Sequence, residues 1–233
     1  MHNKNLNIFI LAGGLGTRLK SVVSDVPKPM APICDKPFLA YQINEIKKYF
    51  PSSKIYLLTY YLSEIIENYF KKDASIIILK EQKLLGTGGS IKNAINFLNL
   101  DVNDSLLILN GDTYIKPDFN NLVSNFNEIV ILASFQEDCQ RYGTLLINNG
   151  KIVRFVEKEA GLKNSYINAG CYYFNNLIFF HNIQEEIFAI EDKFKEYLLN
   201  DTIEILRYND IFIDIGIPED YKKMIDYVES HEN

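Results

Sequence analysis

The chain has 233 residues, 47% hydrophobic and 23% charged, with a net charge of −6 from 24 Lys and Arg against 30 Asp and Glu. These are the proportions of a globular protein and exclude a disordered or collagen-like chain. The acidic balance excludes a nucleic-acid binder that works by broad phosphate neutralisation, but not a small phosphate ligand, which needs only a few placed cations.

Cys34, Cys139 and Cys171 are far apart and form no C-x-x-C. They read as reduced residues of a cytosolic protein, with no disulfide or zinc role. The apolar run Ile8–Ala12 is too short for a signal peptide, and no stretch approaches the ~20 apolar residues of a membrane span. A soluble, cytoplasmic protein with no membrane partner is expected.

The run Asn7–Ala12 predicts a first strand, which enters Gly13-Gly14-Leu15-Gly16-Thr17-Arg18-Leu19. Closely spaced glycines let the backbone turn tightly and approach a ligand. Consecutive N–H groups in such a loop can cradle phosphate oxygens, and Arg18 adds an always-charged donor fork. The spacing is neither the dinucleotide fingerprint nor the phosphate-binding loop of the NTPases, so the loop by itself also reads as a tight turn. Next comes Pro27-Lys28-Pro29, where prolines on both sides stiffen the backbone and limit where Lys28 points.

Further along, apolar stripes at helical spacing alternate with short apolar runs. Leu39, Ile43, Ile46 and Phe50 mark one helix, and Leu62, Ile65, Ile66 and Tyr69 a second. A loop Leu85–Gly89 is expected to precede a third helix, with the stripe Ile91, Ala94, Ile95 and Leu98. Strands are expected at Lys54–Thr59, Ser75–Leu79, Ser105–Leu109 and Ile129–Phe135. The alternation implies βαβ units: an α/β fold with a mixed, mostly parallel central sheet flanked by helices. Past residue 140 the pattern changes. Thr144–Asn148 and Lys151–Val156 flank Asn149-Gly150, a hairpin signal. A strand Tyr166–Phe174 interrupted by Gly170 follows, then a helix Glu191–Leu199 and strands Thr202–Arg207 and Ile211–Ile213. The last helix starts at Pro218, with Glu219 and Asp220 favouring its positive end. The front half reads as doubly wound, and the back half adds antiparallel strands and a lid. Ligands of such sheets bind beyond the carboxyl ends of the strands. No histidine is placed for proton transfer: His2 and His231 are terminal and His181 lies outside every motif.

Leu11-Ala12-Gly13-Gly14-Leu15-Gly16-Thr17-Arg18-Leu19, a short spacer and Pro27-Lys28-Pro29 together resemble the signature of the sugar-1-phosphate nucleotidyltransferases. These enzymes join a nucleoside triphosphate to a sugar 1-phosphate and release pyrophosphate. The resemblance runs from Ile8 to about Tyr221. The segments Leu19–Leu39, Leu85–Ser90, Leu109–Tyr114, Arg141–Thr144 and Phe212–Tyr221 are most similar to the branch that uses GTP and D-glycero-α-D-manno-heptose 1-phosphate. It implies a Rossmann-like, GT-A-like fold in one domain, with residues 1–140 mainly nucleotide-binding and 141–233 mainly sugar-phosphate-binding. A small antiparallel portion would hold the sugar.

The same resemblance implies residue roles. Leu11, Ala12, Gly13, Gly14, Gly16 and Thr17 would line the nucleotide, together with Gly86 and Gly89. Arg18 would hold the triphosphate tail and the leaving pyrophosphate, and Lys28 would contact the α-phosphate. Both suit charge-assisted phosphate binding. Asp112 would bind Mg²⁺ and lie beside the sugar phosphate. Asp214 would be the second metal carboxylate, meeting Asp112 across a cleft; two carboxylates with phosphates and water are a usual Mg²⁺ set. Lys158 would contact the sugar phosphate and Glu157 the sugar hydroxyls, although relatives often continue with Pro where Glu159 stands here. Tyr142, Gly143, Asn168 and Gly170 would form the sugar pocket.

Base choice turns on Glu81, which stands where uridylyl- and thymidylyltransferases carry a Gln. A carboxylate only accepts, and guanine presents two adjacent N–H donors, so Glu81 points to GTP. Two alternatives stay open: Gln82 rotates in, or Glu81 is solvated. Other readings are a transferase using CTP, UTP or dTTP with another phosphorylated acceptor, and a non-catalytic nucleotide-sugar sensor. A sensor can lose Arg18, Lys28, Asp112 or Asp214, and all four are present. The product would feed capsule or surface glycan assembly. Fifteen Tyr and fifteen Phe leave room for a dimeric or other homo-oligomeric interface without assigning one.

Overall fold

The computed structural model describes residues 5–148, 151–156, 163–198 and 203–231. In chain order the elements begin with β1 (Leu6–Leu11), a 3-10 turn at Thr17–Leu19, a second at Lys28–Met30, and the short pair β2 (Pro32–Ile33) and β3 (Lys36–Pro37). Then come α1 (Phe38–Tyr49), β4 (Ile55–Thr59), α2 (Ser63–Phe70), β5 (Ile76–Lys80), α3 (Gly86–Leu98), β6 (Ser105–Asn110), β7 (Thr113–Ile115) and α4 (Phe119–Val123). The chain continues through β8 (Ile129–Asp138), β9 (Thr144–Asn148), β10 (Lys151–Val156), β11 (Lys163–Phe174), α5 (Ile178–His181) and α6 (Ile190–Tyr197). It ends with β12 (Ile203–Tyr208), β13 (Phe212–Asp214) and α7 (Pro218–His231). The expected alternation of strands and helices forms. Sequence patterning missed β2, β3, β7, α4, α5 and both 3-10 turns, each too short to show a period.

The chain divides into two compact units. The second unit holds Ile8–Leu84, Leu109–Lys116 and the stretch from Ile211 onward. Its sheet is parallel: Ile8–Leu11 of β1 pair with Ile55–Leu58 of β4, and β4 pairs with β5 in the same sense. Ile8, Phe9 and Ile10 are all fully buried, as strands covered on both faces require. Between β1 and β4, α1 turns Phe38, Leu39, Ile43 and Ile46 inward and ends on Lys47 and Lys48, which suit the negative end of its dipole. A separate two-stranded antiparallel ribbon joins β7 and β13, with Asp214 opposite Thr113.

The first unit holds Leu85–Ile108, Pro117–Asp210 and the chain start up to Asn7. Here β8 pairs antiparallel with β11 and parallel with β12, and β11 pairs antiparallel with β9. β9 and β10 form the expected hairpin, Lys151 opposite Asn148; its turn residues, Asn149 and Gly150, lie outside the described residues. On β11, Asn168 faces Ala133 but Tyr172 faces Ile131, so four residues advance against two and the strand bulges around Gly170, whose φ is +67°. The core of this unit is aromatic. The Phe194 ring lies 5.7 Å from Phe155, 5.3 Å from Tyr172 and 5.6 Å from Phe179.

One expectation is corrected. Leu85–Gly89 is not a loop before the third helix: α3 begins at Gly86, so the glycines form its first turn. Glycine is a poor helix former, and packing overrides that preference. Gly88 N–H and Gly89 N–H both donate to the Phe188 carbonyl, at 3.1 and 3.2 Å, and Phe188 N–H donates to Leu85 O at 3.0 Å. A Cβ on Gly89 would stand 2.3 Å from the Glu186 carbonyl oxygen. Gly89→Ala should therefore destabilise the protein in urea unfolding. Overpacking costs about 1–3 kcal/mol, against a helix-propensity gain of about 1 kcal/mol. A stabilised variant would show that residues 186–188 give way freely.

Candidate active site

In the second unit one ammonium group joins two carboxylates. Lys28 Nζ lies 2.6 Å from Asp112 Oδ2 and 3.3 Å from Asp214 Oδ1. Each of the three reaches this point by a local device. Pro27 is extended (φ −65°, ψ 148°) and starts the 3-10 turn Lys28–Met30, whose residues are all buried. Asp112 sits in the turn between β6 and β7. That turn is tied down by Gly111 N–H to Leu11 O at 2.9 Å and by Ile215 N–H to Asp112 O at 3.0 Å. Asp214 ends β13, where alternation turns Ile213 and Ile215 into a buried cluster with Leu19, Phe38 and Tyr114, so the intervening carboxylate faces away from that cluster. Asp214 and Asp112 thus come together on one lysine, brought there by antiparallel pairing of β13 with β7, which sets Asp214 opposite Thr113.

Burial and the neighbouring Asp112 charge push the Asp214 carboxyl above its ordinary range, while Lys28 and Arg18 pull it back. Two carboxylates this close call for a cation. A single ammonium reaches both. Among the described residues no cluster of three or more His, Cys, Asp and Glu side chains is placed to hold a metal.

The glycine loop lies against the same lysine. Gly16 takes the left-handed conformation (φ +60°), and a Cβ there would come within 2.9 Å of Lys28 Cβ, so this position admits little but glycine. Gly14 is exposed with nothing near its missing Cβ. Leu11 ends the first strand and Ala12 follows it, with Ala12 N–H bonded to Leu58 O at 2.8 Å. Thr17 and Arg18 are exposed on a 3-10 turn that buried Leu19 anchors. Glu81 follows β5, is 8% exposed, and donates its N–H to Thr59 O. This removes the solvated-Glu81 alternative. Gln82 is exposed.

The remaining candidates fall in the first unit. Gly86 and Gly89 lie in the first turn of α3 against residues 186–188. Asn168 N–H donates to Gly143 O at 2.8 Å, which brings Tyr142-Gly143 and Asn168-Ala169-Gly170 together. A Cβ on Gly143 would meet nothing within 4 Å, so the space before it is open. Glu157 and Lys158 lie outside the described residues.

Sequence reasoning missed Gln42. Its side chain is 2% exposed on α1, and its Nε2 donates to Asn110 O at 2.8 Å and to Thr113 O at 2.9 Å. It pins both ends of the turn that carries Asp112. A polar residue amid the helix's apolar stripe was the available signal.

The nucleotidyl transferase family model matches residues 8–231. The D-glycero-α-D-manno-heptose 1-phosphate guanylyltransferase of Campylobacter jejuni subsp. jejuni serotype O:2 is 37% identical over 219 residues, covering 93% of this chain and 97% of that protein. The protein of the same name from Aneurinibacillus thermoaerophilus is 37% identical over 227 residues, covering 94% and 96%. The crystal structure of HddC from Yersinia pseudotuberculosis superposes with a TM-score of 0.83 at 32% identity, covering 95% of this chain and 98% of that one. Its complex with GMP-PN superposes with a TM-score of 0.80 at 33% identity and the same coverage.

Gln42→Leu keeps the size and removes both donors. One buried and one partly buried carbonyl then lose their partner, and urea unfolding should show a loss of about 1–3 kcal/mol. A loss below about 0.5 kcal/mol, the usual range of an unimportant surface change, would show that the turn holds without it.

Proposed function

The chain belongs to the nucleotidyl transferase family, and we propose that it joins GTP to D-glycero-α-D-manno-heptose 1-phosphate, giving GDP-heptose and pyrophosphate. The observation that carries the catalytic reading is the placement of Lys28 between Asp112 and Asp214, beside the glycine loop. The choice of substrates rests on the two curated relatives and on the buried carboxylate of Glu81.

In this reading an oxygen of the sugar 1-phosphate attacks the α-phosphorus of GTP. The new P–O bond forms as the bond to the β-bridging oxygen breaks, and pyrophosphate leaves with that electron pair. The nucleophile is already anionic, so no base is needed, which fits a site without histidine. Catalysis then rests on positioning and charge. Lys28 offsets charge on the α-phosphate, and exposed Arg18 holds the tail that leaves. The loop Gly13–Gly16 offers backbone N–H groups to the phosphates. Glu81 accepts the two N–H groups of guanine. Tyr142, Gly143, Asn168 and Gly170 take the sugar, and Glu157 and Lys158 its hydroxyls and phosphate.

Asp112 and Asp214 would hold Mg²⁺, whose chemistry here is to neutralise and orient phosphate oxygens. Two hard oxygen donors near one point suit that ion, and phosphate oxygens and water would complete its shell. The same reading places the work in the cytoplasm, with a product used for surface or capsular glycans. Among the described residues no helix is long and apolar enough to cross a membrane.

Pyrophosphate release from the purified protein with Mg²⁺ tests this. GTP, CTP, UTP, dTTP and ATP are crossed with heptose, mannose and glucose 1-phosphates. Release should require GTP and the heptose. Another productive pair would overturn the specificity and keep the class; nucleotide-sugar binding without any release would favour a sensor. In the same assay Lys28→Ala should lower turnover by about two to three orders of magnitude, since one donor at a developing charge contributes about 2.7–4 kcal/mol. Glu81→Gln should cut the preference for GTP over UTP by about 10-fold or more, from a lost charged hydrogen bond of about 1.5–3 kcal/mol. An unchanged preference would remove Glu81 from base recognition.

A further inference from the structure

Asn168 is held at both ends of its side-chain amide. Its Oδ1 accepts from Gly170 N–H at 3.0 Å, and its Nδ2 donates to Tyr172 Oη at 2.8 Å. A backbone N–H only donates, so the two contacts fix which way the amide faces. The bulge of β11 makes this possible, because Asn168, Gly170 and Tyr172 would otherwise stand apart along a straight strand.

Tyr172 is fully buried. Burial and the Glu191 carboxylate push its pKa well above the ordinary value, so it remains a phenol. Having accepted from Asn168, its proton goes to Glu191 Oε1 at 3.4 Å. The other carboxylate oxygen, Oε2, accepts from Thr87 Oγ1 at 3.0 Å, and Thr87 Oγ1 accepts from Ile190 N–H at 2.9 Å. Donors from both sides converge on one carboxylate, the only member that cannot donate. The bulge of β11, the first turn of α3 and the first turn of α6 meet there.

We infer that Glu191 is a positioning residue for sugar-phosphate recognition, acting through Tyr172 to fix the face that Asn168 presents. This rests on the reading of Asn168 as a sugar contact. With its partners engaged, Asn168 retains one N–H and one lone pair for hydroxyls. Without the Tyr172 hydroxyl the amide is held by Gly170 N–H alone, and the sugar must order its Nδ2 end on binding, which lowers affinity for that substrate alone.

Tyr172→Phe keeps the ring against Phe194 and removes the hydroxyl. Glu191→Ala removes the acceptor, and Glu191→Gln returns one through its amide oxygen. The KM for the sugar 1-phosphate should rise about 3- to 10-fold in Tyr172→Phe and in Glu191→Ala, the scale of one net hydrogen bond. The double variant should be no worse than the poorer single one, and Glu191→Gln should recover most of the loss. In Tyr172→Phe, kcat and the KM for GTP should stay within about twofold, since neither depends on that hydroxyl. Equal rises in both KM values, or a fall in kcat alone, would overturn the inference. A second readout needs no substrate: proton exchange at the Asn168 side-chain amide, followed by NMR, should speed up in Tyr172→Phe. Unchanged exchange would overturn the hydrogen-bond chain itself. Faster exchange with an unmoved sugar-phosphate KM would instead overturn Asn168 as a sugar contact.

Discussion

Two carboxylates held close together repel, and each favours protonation of the other unless a cation stands between them. In this protein the cation is Lys28, and much of the second unit serves to bring it to Asp112 and Asp214. The proline before it sets an extended entry into its 3-10 turn. Gly16 gives up a side chain where Lys28 Cβ passes. Gln42 holds the Asp112 turn from α1 by two carbonyls. Ile213 and Ile215 anchor Asp214 in the apolar cluster on the other side of the strand. Each device is a common local one, and their convergence gives the charge arrangement.

The first unit is organised by different physics. Its aromatic core gathers around Phe194, and α6 carries that residue and Ile190 on its buried face. The segment leading into α6 lies close enough to α3 to exclude side chains at Gly88 and Gly89 and to use their N–H groups. Glycine runs are often read as ligand cradles. Here a protein carbonyl already takes two of those donors, so packing alone is a sufficient reason for the glycines. The polar chain from Asn168 to Thr87 runs at the edge of this aromatic core, where the low dielectric strengthens each hydrogen bond and raises the cost of an unmade one.

The long elements were legible because burial imposes a period. The stripes in α1, α2 and α3 and the apolar runs of β1, β4, β5, β6 and β8 fall within a few residues of their expected places. The Asn149-Gly150 signal predicted a hairpin, and β9 and β10 pair in the matching register. Short elements were not legible, since three residues such as Thr113–Ile115 show no period. That omission matters, because β7 is the strand through which Asp214 finds Asp112.

The sequence by itself determined the class of fold, the residue types available for phosphate chemistry and the family resemblance carried by the glycine loop and Pro27-Lys28-Pro29. These are local properties: periodicity, backbone restriction and the charge of a side chain act over a few neighbouring residues. Only the tertiary structure decided that Lys28 touches both Asp112 and Asp214, that Gln42 pins the turn that carries Asp112 by the Asn110 carbonyl, and that Tyr172 reaches Glu191. Those pairs stand 84, 186, 68 and 19 residues apart along the chain. Their contacts depend on strand register and helix packing, which no local pattern encodes.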